Sequence, residues 1–334
     1  MARPRFIPDN MTLLLFAVVA AATLFPCAGD VAVGFDHLTT FMIGLLFFMH
    51  GAKLSREAVV AGMTHWRLHI TVLLCTFALF PLIGWLLKPL LLQVIAPELY
   101  LGMMFLCVLP STVQSSIAFT SVARGNVPAA ICAASASNLL GIFLTPLLVG
   151  LLMVTQGGAG HSPLDAVINI VCQLLLPFVA GQIARPWIGA WIDRNKSWLK
   201  FVDQGSVLLV VYVAFSEAVV QGLWHQVPPT MLVILLVINA ALLALILCLT
   251  TFGSRRMGFS KEDEITIVFC GSKKSLASGA PMAKVLFSAG ALGMVLLPIM
   301  LFHQMQLMVC AVMAQRYGAR EDEVREVMAA EAAD

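Results

Sequence analysis

Charge is what this chain has least of. Lys, Arg, Asp and Glu supply only 11% of its 334 residues, whereas 60% are apolar. A soluble domain of this length has too little polar surface to hide so much apolar side chain, so lipid must cover much of it. A net charge of +2 is no sign of a nucleic-acid partner; the basic residues read as topology signals instead. The eight cysteines (Cys27, Cys75, Cys107, Cys132, Cys172, Cys248, Cys270 and Cys310) are scattered through apolar runs with no CxxC or Cys/His spacing. Buried packing is then their default role, and no resident metal or other cofactor is expected. Gly-x-Ser-x-Gly, His-Glu-x-x-His and paired intramembrane aspartates are all missing, which argues against an enzyme.

What the chain has in abundance is long apolar segments. A helix needs about 20 such residues to cross a bilayer. Ten candidates occur, at roughly 11–29, 34–52, 68–88, 99–124, 127–154, 164–186, 203–223, 230–252, 264–287 and 290–314. Runs of this length do not suit a transmembrane β-barrel, whose strands alternate and are far shorter. With the N-terminus inside, sixteen of the twenty Lys and Arg residues fall on the inner side. Only Lys88 and Lys284 fall outside, and Lys273 and Lys274 lie within a span. This positive-inside bias places both termini in the cytoplasm, in a plasma membrane of the bacterial inner-membrane kind. Arg3 and Arg5 before an apolar run could also mark a signal peptide, but cleavage would leave nine spans and an unmatched half.

Ten spans divide into two halves of five. Residues 1–154 form the first repeat, 155–163 a Gly-rich external linker, 164–314 the second repeat and 315–334 an acidic, Ala-rich cytoplasmic tail. A tandem repeat with an odd number of crossings is inverted across the membrane. The fourth segment of each half carries a polar interruption: Pro110-Ser111-Thr112-Val113-Gln114-Ser115-Ser116 and Gly271-Ser272-Lys273-Lys274-Ser275. Helix breaks at membrane depth are tolerated only where protein or a wet cavity satisfies the backbone. Matched breaks in both halves point to the binding site of a secondary transporter. The expected fold is all-α: ten transmembrane helices in two inverted repeats, with discontinuous helices four and nine crossing.

Candidate binding residues follow from that geometry. Ser111, Thr112, Gln114, Ser115 and Ser116 offer polar groups at the first break, and Ser272 and Ser275 at the second. Ser135 and Asn138, near Ser137 in segment five, form a polar patch that either lines the site or serves helix packing. Lys273 and Lys274 are costly in a membrane, at about 3 kcal/mol each on insertion scales. They could bind a substrate anion, stand as fixed cations, carry a proton or pair structurally. Glu217 is the one carboxylate well inside a span, with Asp203 at an inner end; it could carry a proton, partner a lysine or pair with Gln221. His50 and His303, with Gln304 and Gln306, sit either on a cavity or near helix ends.

The run from Pro110 to Ser116, the Ala123-Arg124-Gly125-Asn126-Val127 turn and the run Gly271 to Gly279 together resemble the bile acid:sodium symporter family. The Ser-Lys-Lys-Ser element resembles its orphan, bile-acid-transporter-like branch. The resemblance covers nearly the whole membrane region and implies a core domain (segments three to five and eight to ten) packed on a panel domain. Substrate would sit between the two. It also implies Na⁺ sites built from a Ser-Asn pair in segment four, hydroxyls in segment five, and Glu and Gln in segment nine. Ser115, Ser116 and Ser135 are the counterparts here. Cys270, however, stands in the Glu position and Lys274 in the Gln position. Two unit charges 4 Å apart interact by roughly 4 kcal/mol at an effective dielectric of 20, so Na⁺ beside a charged Lys274 is disfavoured.

These features predict a membrane transporter that moves a small organic anion by alternating access. A lysine would replace the bound cation, and transport would be proton-coupled or uncoupled. A sodium symporter with a rebuilt cation site and a non-transporting membrane regulator are the alternatives. No protein partner is indicated.

Overall fold

The computed structural model describes residues 10–53, 65–153, 163–223 and 227–331. The N-terminal Arg3 and Arg5, and all of the 155–163 linker except Pro163, lie outside those residues. Every regular element among the described residues is helical. In chain order they are α1 (Asn10–Leu24), α2 (Gly29–Lys53), α3 (Trp66–Leu86), the single turn α4 (Lys88–Leu91), α5 (Pro97–Val108) and α6 (Gln114–Val122). There follow α7 (Val127–Leu152), α8 (Pro163–Arg194), α9 (Lys196–Val220), α10 (Pro229–Arg256), α11 (Lys261–Gly271), α12 (Leu276–Leu286) and α13 (Ala289–Glu331). Six of them contain stretches long and apolar enough to cross a membrane: α2, α3, α7, α9, α10 and α13. The protein is therefore an integral membrane protein. Helix α13 runs on to Glu331, through a final stretch rich in Ala, Glu and Arg, which are good helix formers.

The helices pack as two groups. One contains α1, α2, α8 and α9; the other contains α3, α5, α6, α7 and α10 to α13. Inside the first, α2 and α8 meet backbone to backbone. A Cβ on Gly51 would lie 1.9 Å from the Phe178 carbonyl oxygen, and one on Gly181 would lie 1.9 Å from that of Phe48. Small residues that let helices touch in this way supply the packing attraction that water supplies elsewhere.

The two polar interruptions read in the sequence leave helical geometry. Leu109 is extended (φ −70, ψ 152) and separates α5 from α6; Ser275 (φ −86, ψ 109) precedes α12. The Arg124-Gly125-Asn126 turn ends α6 with Arg124 at φ 56, then starts α7. Its Asn126 caps α7 by accepting from Ala129 N–H at 3.1 Å, and its amide donates to Asp263 at 2.9 Å. Gly125 fits tightly there, since a Cβ would come within 2.6 Å of Ile265. The turn thereby docks onto the first turn of α11, where Ser260 is the N-cap and Glu262, Asp263 and Glu264 face the positive end of the helix dipole.

Candidate functional site

The break after α5 frees a row of carbonyls, and each one described finds a donor. Proline at 110 has no N–H for Leu106 O, which instead accepts from Leu109 N–H at 3.3 Å. Thr145 Oγ1 donates to Val108 O at 2.8 Å, Ser275 N–H to Pro110 O at 2.9 Å and Asn138 Nδ2 to Ser111 O at 2.9 Å. The last two carbonyls, Cys107 O and Leu109 O, are taken by the ammonium of Lys274, each at 2.8 Å. Gly141 permits the break to seat against α7, because a Cβ there would meet the Pro110 ring at 2.7 Å.

Lys274 Nζ makes a third bond, to Thr76 O at 2.8 Å. That carbonyl is available for a local reason. Residues Cys75–Leu79 form a π-helical turn within α3, so Phe80 N–H reaches back five residues to Cys75 O. The donor that would continue this pattern for Thr76 belongs to residue 81, which is proline. The Phe80 ring lies 4.1 Å from Nζ and adds a cation–π contact. Three carbonyls and a ring thus surround a fully buried ammonium. Gln306 clasps the same residue's main chain, accepting from its N–H at 2.9 Å and donating to its O at 2.8 Å.

Lys273 points elsewhere. Its ammonium donates to Ser115 O at 2.9 Å and lies 3.8 Å above the Phe119 ring and 5.3 Å from that of Phe269. Beside it the two breaks are laced together. Ser111 Oγ donates to Cys270 O at 2.5 Å and Ser116 Oγ to Phe269 O at 3.0 Å. Thr112 Oγ1 lies 2.7 Å from Ser115 Oγ and 3.0 Å from Ser116 Oγ.

A cavity of about 380 Å³ opens between the two helix groups. From the candidates named in the sequence, its wall takes Thr112, Gln114, Ser115, Ser135, Asn138 and Ser275. Ser111, Ser116, Ser272, Lys273 and Lys274 are buried and are not among the lining residues. Glu217 stands apart from it near the far end of α9, with Gln221 Nε2 donating to its carboxylate at 3.4 Å. His50 and His303, which the sequence left between two settings, both line the cavity, and so does Asp203. Gln204 and Ser278 also belong to the wall, and no sequence signal marks Gln204. Ser278 is legible in the Ser-x-x-Ser capping spacing, since Ser275 Oγ accepts from its N–H at 3.1 Å. Thr76 and Thr145 carry no signal, being single hydroxyl residues inside apolar helices.

The wall is apolar over much of its area, from Leu46, Phe47, Ile142, Phe178 and Met282, with its hydroxyls and amides concentrated at the breaks. The first turns of α6 and α12 both contribute to it, so two positive helix ends face the space. The arrangement can hold a solute with an apolar body and a polar or anionic end.

Comparison with known proteins gives the same direction. The profile of the SBF-like CPA transporter family matches residues 9–319. An uncharacterized protein of Pseudomonas aeruginosa is 64% identical over 329 residues, covering 98% of both chains. YfeH of Escherichia coli, whose name describes it as a candidate symporter, is 56% identical over 320 residues, 95% of each chain. Sodium/bile acid cotransporter 7 of Danio rerio is 30% identical over 282 residues, 83% of this chain and 82% of its own. A match of that extent, on an all-helical membrane protein with a cavity behind two helix breaks, means that the chain belongs to the SBF-like CPA transporter family, of the bile acid:sodium symporter type.

Proposed function

We propose that the protein is a secondary transporter that carries a small organic anion by alternating access and has a lysine ammonium where such a transporter would bind a cation. The observation that carries this reading is the setting of Lys274 Nζ. Three main-chain oxygens at 2.8 Å, two of them from the C-terminal end of a broken helix, are the ligands a coupling ion takes in broken-helix transporters. A covalently attached cation in that place makes a bound Na⁺ redundant and, by charge, unwelcome. Lys273 adds a second fixed charge behind Ser115. Together with the two helix N-termini, these charges, set behind the breaks, make that side of the cavity favourable to an anion.

The same reading takes α1, α2, α8 and α9 as the panel and the remaining helices as the core of a ten-crossing inverted repeat. The bond from Ser275 N–H to Pro110 O supports a crossing of the two broken helices. Both termini lie in the cytoplasm of a bacterial inner membrane, in keeping with the basic-residue bias. Relatives named for bile acids make the bile salt taurocholate a sensible probe. Purified protein in liposomes should take up labelled taurocholate at the same rate with an inward Na⁺ gradient as with K⁺. Accumulation driven by the Na⁺ gradient would instead establish a rebuilt sodium site around Ser115, Ser116 and Ser135.

A further inference from the structure

The cavity wall holds three titratable side chains among the described residues, two from the first helix group and one from the second. His50 projects from α2, Asp203 from α9 and His303 from α13. No Lys or Arg joins them in the wall. His50 Nε2 lies 3.8 Å from Asp203 Oδ1, and both side chains are largely buried, at 32% and 14% exposure. His303 is tied by its Nδ1 to Gln306 at 2.9 Å, the residue that clasps Lys274. Helix α1 has no titratable side chain, and the Arg185 guanidinium of α8 is occupied with Ala52 O at 2.7 Å.

We propose that His50 and Asp203 form a shared protonation site on the cavity wall, which takes up a proton when an anionic solute enters. This inference rests on the reading of the cavity as an anion site. An anion in that space meets the Asp203 carboxylate, and like charges in one low-dielectric cavity oppose each other. A proton on the pair turns His50 into an imidazolium beside Asp203 and cancels that repulsion. Imidazole is the side chain whose charge changes within the physiological range. Binding of the anion and of the proton then favour each other, and by linkage the effect is reciprocal. The proton would travel with the solute on the group of helices opposite the buried lysines.

The positioning of the pair is built into the fold. Gly51, the neighbour of His50, is where α2 presses against the α8 backbone at Phe178, itself a lining residue. The Phe47 ring stands edge-on to the imidazole, with centroids 6.2 Å apart. Asp203 sits one turn before Val207, which is fully buried and also lines the cavity.

The test is calorimetric. Taurocholate is titrated into the full-length protein in lipid nanodiscs, at neutral to mildly alkaline pH, in two buffers of different ionisation enthalpy. The difference in heat counts the protons taken up per ligand. The wild type should take up about one proton as the anion binds. His50→Gln and Asp203→Asn should each still bind while taking up almost none, and His303→Gln should retain the uptake. Binding by the wild type without proton uptake overturns the pair and spares the anion cavity. Unchanged uptake in both His50→Gln and Asp203→Asn, or its loss only in His303→Gln, also overturns the pair. Absence of any binding heat overturns the anion reading and takes the coupled proton with it.

Discussion

Lys274 is fully buried with all three of its donors engaged, so its ammonium serves as structure as much as charge. Replacing it with Met leaves Thr76 O, Cys107 O and Leu109 O without partners. Each orphaned buried carbonyl costs about 1–3 kcal/mol, so Lys274→Met should lose roughly 3 kcal/mol or more of stability. Lys273→Met removes one carbonyl bond and the contact with Phe119, and should cost about half as much. Thermal unfolding of both variants in detergent checks the order. At the same scale, Thr145→Val deprives Val108 O of its donor and should cost about 1 kcal/mol, with no effect on the volume of the cavity. A Lys274→Met protein as stable as wild type would mean that the three carbonyls find other donors.

At the scale of the element, the two breaks were legible because proline, glycine and clustered serines punctuate otherwise apolar segments. Pro110 and the Gly271-Ser272 step sit where the helices stop. The direction of the two lysine side chains was not legible. Adjacent residues on a helix point about 100° apart, but after a break the backbone decides, and the deciding partner lay in α3. Nothing in the sequence near Lys274 announces that Pro81 and a π-helical turn leave Thr76 O over. The placing of His50 on the cavity was hidden for a similar reason: it depends on α2 meeting α8 at Gly51 and Gly181, a contact made 130 residues apart in sequence. That contact yields its own prediction. Gly51→Ala or Gly181→Ala puts a methyl group 1.9 Å from a main-chain oxygen, so the helices must part, at a cost of about 1–3 kcal/mol. A melting temperature equal to that of wild type would contradict it.

At the scale of the whole molecule, the cavity and its opposite end are held differently. Lys284 of α12 pairs with Asp36 of α2, joining the two helix groups. Asp36 lies 14 residues before His50 on the same helix, so this tie is roughly 21 Å from the cavity histidine. The pair ties the start of α2 to the end of α12. Asp36→Asn should quicken amide hydrogen exchange at the start of α2 and the end of α12 by about two- to fivefold, as expected for a partly exposed ion pair. Equal exchange would show that the pair does not hold those helix ends together.

The replacement of a bound cation by Lys274 is tested most directly by thermal stability of the purified wild-type protein in Na⁺ and in choline at fixed ionic strength. An ion at about 100 times its dissociation constant stabilises its site by roughly 2.7 kcal/mol, enough to raise the melting temperature visibly. With an ammonium already on the three carbonyls, the two melting temperatures should coincide. A sodium-specific rise would contradict the account and place a bound Na⁺ beside the lysines.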